Sequence, residues 1–200
     1  LAACNVVQGE LVKYTWRPPA GTESPLDCET GYLQETKDYK LQDWWLPYRG
    51  DAYGMGFALD LSYWLEPVRR GDMLADQAIT EIENWMYIAD DSFWIWDEYG
   101  AQLATDNFSI FFWLDDVVKD NEFGDGVSAI SFHSNGLDKT MGEFEIIQTD
   151  DGIVGEADIR INLAWPMAPR DDCEAGLPID PVSVMVHELG HVLGLGDVSS

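Results

Sequence analysis

Apolar positions in residues 1 to about 50 follow no sustained period, and the pattern sharpens from about residue 53. YGMGFALDLSYWL, from Tyr53 to Leu65, reads as a strand of aromatic and aliphatic residues ended by Pro67. Beyond Gly71 and Asp72, Leu74, Ala78, Ile82, Met86 and Ala89 recur at helical spacing, with Ile79 and Trp85 widening the stripe. SFWIW (92–96) and NFSIFFWL (107–114) are short, dense apolar runs of the kind expected in strands covered on both faces. GVSAISF (126–132) is a further strand. GEFEIIQTDDGIVGEADIRINLAW (142–165) looks like two strands joined at Asp151–Gly152, a hairpin dipeptide. Within it Ala157, Ile159 and Ile161 alternate with Asp158, Arg160 and Asn162, which predicts one buried and one polar face.

The last predicted element is a helix in DPVSVMVHELGHVLGLG (180–196). Asp180 is a good N-cap and Pro181 a good first helical residue. Val182, Met185, Val186 and Leu189 give it a core-facing stripe, and Gly194 or Gly196 can take the left-handed conformation that stops it. Strand, helix, four or five strands, helix is the order of an α/β layer arrangement.

A chain of 200 residues with 46% hydrophobic and 12% aromatic content can bury one sizeable core. WRPPAGTESPLDCETG (16–31) and DWWLPYRGD (43–51) are rich in turn formers, so residues 1–50 read as an irregular N-terminal extension and 51–200 as the main domain. No apolar run is long enough to span a bilayer, so no transmembrane segment is expected.

Charge narrows the partners. Thirty-seven acidic residues against eleven basic ones leave a net charge of −26, which repels a phosphate backbone and argues against nucleic acid. Screening by a salty habitat, calcium-binding carboxylates and a plain acidic surface all remain open as its origin. Three cysteines, Cys4, Cys28 and Cys173, leave one without a partner inside the chain. An extracytoplasmic setting, secreted or cell-surface, would favour a Cys4–Cys28 bridge. LAAC (1–4) also resembles the box before a lipid-modified cysteine, which makes Cys4 a candidate anchor.

The chemistry concentrates in HELGHVLGLGD, His187 to Asp197. His187 and His191 stand at i and i+4 on the predicted helix, so both imidazoles reach one ion from the same face. Glu188 lies beside the first of them, as a general base needs to for a metal-activated water. Catalytic zinc takes three protein ligands and keeps a fourth position open. Asp197, after the helix-ending glycine, is the candidate third ligand of a His₂Asp site.

HELGHVLGLGD fits HExxHxxGxx(H/D), and GIVGEADIRIN (152–162) resembles a strand motif of the same family, the metzincin metalloendopeptidases in their matrixin-like, bacterial or archaeal form. The resemblance covers residues 53 to 197. It implies a zincin-like catalytic domain with a mixed, mostly parallel five-stranded sheet, two long helices and an edge strand along the cleft. Protein or peptide substrate would bind there extended, as an added strand, with GVSAISF or GEFEIIQ the candidate edge. It further implies zinc at His187, His191 and Asp197, with Glu188 as base, and structural calcium as a second cofactor to look for. Asp115, Asp116, Asp120, Asn121, Glu122 and Asp125 in DDVVKDNEFGDG supply oxygen for calcium, without the family's order. His133 falls near the place of a structural zinc ligand, but a strand-end histidine facing solvent is the simpler reading.

Two departures qualify the likeness. The family's Met-turn and the subdomain after its zinc motif have no counterpart in these 200 residues, and SPLDCETG around Cys28 does not match its latency motif. Two functions are therefore expected in competition. One is a zinc endopeptidase of extracellular proteins; the other is a metzincin-derived structural or binding module without proteolysis.

Overall fold

Asp151–Gly152 does join two antiparallel strands: Gly152 takes φ 77°, and Thr149 and Ile153 exchange the bonds that close the turn. That hairpin belongs to the main sheet of a computed structural model describing residues 10–15, 40–41, 48–49, 52–100, 109–118, 122–135, 140–167 and 179–196. In chain order the elements are β1 (Glu10–Thr15), β2 (Lys40–Leu41), β3 (Tyr48–Arg49), β4 (Ala52–Asp60), α1 (Ser62–Arg70) and α2 (Ala75–Gly100). There follow β5 (Ser109–Val118), β6 (Ala129–His133), β7 (Gly142–Gln148), β8 (Val154–Asn162), α3 (Pro181–Val192) and β9 (Leu195–Gly196).

The architecture is α/β. The central path of the main sheet runs β5-β4-β6-β8-β7, parallel except for β7. Two strands from the first fifty residues join it: β3 pairs with the start of β4, and β1 lies antiparallel along the outer side of β7. β2 and β9 form a separate two-stranded pair.

One continuous core holds these layers. Trp64 of α1 and Trp85 of α2 pack on Phe132 of β6, with ring centroids 4.6 and 4.8 Å apart. Phe93 of α2 packs on Phe57 and Phe112. Met185, Leu189 and Val192 carry α3 into the same core. A buried aromatic of this size contributes about 3 kcal/mol, so these rings dominate the helix–sheet packing.

Four local expectations change. Residues 61–70 are not the end of a strand: Asp60 Oδ1 accepts from Ser62 N–H at 2.8 Å and starts α1, which carries Pro67 inside it. SFWIW is not a strand but the continuation of α2, where Ser92 Oγ donates to the Ile88 carbonyl at 2.6 Å. The core-facing stripe of α2 is Ala78, Trp85, Ala89 and Phe93, while Leu74, Ile79 and Met86 are exposed. On the polar face expected for β8, Asp158 and Asn162 are buried and only Arg160 stays partly exposed, because β8 is an interior strand whose Asp158 accepts from Ala129 N–H and whose Asn162 donates to the Thr140 carbonyl.

Candidate metal centre

Helix α3 begins as its sequence dictates. Asp180 accepts from Val182 and Ser183 N–H through its two carboxylate oxygens, each at 3.2 Å, and Pro181 fills the first helical position. It ends at Leu193, and Gly194 turns the chain with φ 86°. Helix α2 fixes its height and rotation. Trp96 Nε1 donates to the Val186 carbonyl at 3.0 Å, and a Cβ added at Gly190 would come within 3.2 Å of the Trp96 ring. The glycine in HELGH thus allows the close approach of the two helices.

On this helix His187 and His191 converge. Their Nε2 atoms are 3.0 Å apart and their rings cross at 85°. Two nitrogens bound to one tetrahedral zinc at about 2.0–2.1 Å would be about 3.3 Å apart, so little movement separates this pair from a ligand pair. His191 Nδ1 lies 2.6 Å from the Leu195 carbonyl oxygen, an acceptor only. The ring nitrogen must therefore donate, which fixes the tautomer and leaves Nε2 of the neutral ring as the lone-pair donor. Phe144 of β7 stacks on the same imidazole, 5.2 Å between centroids and 15° between planes.

Glu188 is fully buried, with its carboxylate against the backbone of Gly142, the first residue of β7. A Cβ at Gly142 would meet Glu188 Oε1 at 2.5 Å and Cδ at 2.9 Å, so glycine keeps the space that the carboxylate fills. His187 and His191 are thus brought together, and Glu188 of the same helix is buried against Gly142. Gly142, Phe144, Trp96 and the Leu195 carbonyl join them without any sequence signal, because each acts from another element of the fold. Asp197 follows β9 directly and lies outside the described residues, as do Cys4, Cys28 and Cys173. Among the described residues no group of three or more His, Cys, Asp or Glu gathers at one point. Two imidazoles, one with a fixed tautomer, could serve as a ligand pair; a three-ligand site would need a further ligand from outside the described residues.

Of the carboxylates considered for calcium, two accept local backbone bonds. Asp125 Oδ1 accepts from Val127 N–H at 2.8 Å, and Asp116 Oδ1 from Val117 N–H at 2.8 Å. Asp115 is exposed on β5, Glu122 is exposed before the Gly124 turn, and Asp120 and Asn121 lie outside the described residues. The loop is also held by Glu156 of β8, buried, whose two oxygens accept from Gly124 N–H at 2.5 Å and Gly126 N–H at 2.6 Å. His133 is half-buried at the end of β6 and accepts at Nδ1 from Asn135 N–H, rather than facing solvent.

The expected substrate edge also changes. β6 is interior, flanked by β4 and β8, and the outer side of β7 is paired to β1 over six residues. No helix among the described residues is long and apolar enough to cross a membrane. No protein-family model matches the chain, and neither a curated protein nor a solved structure matches it.

Proposed function

We propose that the chain is a zinc-dependent endopeptidase of the metzincin, matrixin-like kind, acting on extended protein substrate outside the cytoplasm. One observation carries the reading: the Nε2 atoms of His187 and His191 converge to 3.0 Å while the Leu195 carbonyl holds His191 in the ligating tautomer. His187, His191 and Asp197 would hold the zinc. When bound, zinc supplies a Lewis acid that polarises the scissile carbonyl and makes water acidic enough to be deprotonated near neutral pH. Glu188, seated against Gly142 and adjacent in sequence to His187, takes the proton of the attacking water on a carboxylate oxygen. The same oxygen returns it to the leaving nitrogen. The carbonyl of Leu195 and the ring of Phe144 keep His191 from turning away.

Metal analysis of the purified chain tests this reading together with cleavage of an unfolded protein. About one zinc per chain, lost in His187→Ala, and cleavage stopped by a chelator are the expected results. A folded chain that binds no zinc would overturn it.

One observation favours the second reading, a structural or binding module built on the same scaffold. The β7 edge, where an extended chain would add, is already paired to β1. Zinc binding without cleavage by any variant would support that module.

A further inference from the structure

Strands β1 and β2 both pair with backbone beside the candidate metal centre. β1 runs antiparallel to β7 from Glu10 opposite Gln148 to Thr15 opposite Glu143, one residue short of the Gly142 that carries the Glu188 carboxylate. β2 pairs Lys40 with Gly196 and Leu41 with Leu195, and Leu195 supplies the carbonyl that orients His191. β1 and β2 thus pair with the strand that carries Gly142 and with the strand that carries Leu195.

The register of β1 suits its partner. Val12 and Tyr14 stand opposite Ile146 and Phe144, both fully buried, and Lys13 stands opposite Glu145. Cross-strand neighbours share a face, so positions 12 and 14 fall on the face of β7 that carries Phe144 and Ile146, and positions 11 and 13 on the other. Tyr14 holds the register position opposite the ring that stacks on His191. An added strand gains its affinity from main-chain hydrogen bonds, and one edge can bind only one strand at a time.

We propose that β1 is a built-in competitor for the β7 edge, and that an extended peptide binds this edge only when β1 leaves it. The inference rests on the endopeptidase reading for its consequence, latency, but not for the exchange of strands itself. β2 holds the same chain to β9, so β1 returns to its edge at high effective concentration.

The test uses the full chain in a Glu188→Ala background, which removes the base and leaves peptide binding to be read without cleavage. Val12→Pro with Lys13→Pro breaks the pairing: N–H groups of a strand point alternately to its two sides, so one of two consecutive prolines must remove a donor facing β7. The probe is fluorescein-labelled ELVKYT, capped at both ends, followed by anisotropy. Binding at least tenfold tighter to the double-proline chain than to its parent is expected. Equal binding to both, or none to a folded double-proline chain, would overturn the proposal. Should that chain fail to fold, Lys13→Glu places a like charge opposite Glu145 and must raise affinity for the probe in the same direction, or the proposal falls.

Restoring Glu188 in the double-proline chain separates the two ideas. Zinc-dependent cleavage at least tenfold faster than the parent supports both. Probe binding without any cleavage keeps the strand exchange and removes the endopeptidase reading.

Discussion

Glu156 and Glu188 are both fully buried glutamates beside glycines, yet the protein surrounds them differently. Glu156 spends both carboxylate oxygens on the amides of Gly124 and Gly126, and so ties the loop before β6 to β8. Glu188 lies between two histidines of one helix face, against a strand start where even a methyl group would collide with it. Burial alone therefore says nothing about a carboxylate's role. Donors from a loop make it a fastener, whereas convergent imidazoles and reserved space make it a candidate base.

Exchanging each carboxylate for a methyl group separates these roles most sharply. Glu188→Ala is expected to lower cleavage by about 10²–10⁴-fold with zinc content unchanged, since a positioned base supplies about that much. The variant should still fold, which its unchanged zinc content reports. Glu156→Ala is expected to do the reverse. Two amides lose their charged acceptor, so denaturant unfolding should show a loss of about 3 kcal/mol, while zinc still binds. If the two variants exchange these outcomes, the contrast is wrong.

Smaller effects sharpen it. Gly142→Ala forces the Glu188 carboxylate aside and should reduce cleavage by about 10- to 100-fold, since a displacement of about 1 Å costs that much. The smallest expected change is Asp180→Ala, which removes the cap of α3 and should cost about 1 kcal/mol in thermal or denaturant unfolding, with the metal site intact.

Legibility followed the range of the interactions. Helix α3 was readable because Asp180, Pro181 and Gly194 act within one turn of where they stand, and the β7–β8 hairpin because Asp151–Gly152 acts within four residues. The same locality made His187, Glu188 and His191 readable as one group. SFWIW misled because its aromatic residues favour strands, while the preceding turns of α2 and the contacts of Trp96 and Ser92 with α3 hold it helical. β8 misled because alternation reports one covered face, and Glu156 and Asp158 reach partners on β6 and the loop before it. Gly142 and Phe144 carry no local mark of their roles; only the position of β7 beside α3 gives them one.

The pairing of β1 with β7 joins positions about 130 residues apart. A ribosome adding about 5–20 residues per second makes β1 on the order of ten seconds before it makes β7. The sheet path from β5 to β7 closes its own ladder without β1, so β1 docks onto an edge that is already built. Contacts so distant in sequence form late, and outer strands open at lower free energy than the core beneath them. A strand made so long before its partner is thus seated late, and its departure leaves the ladder behind it whole.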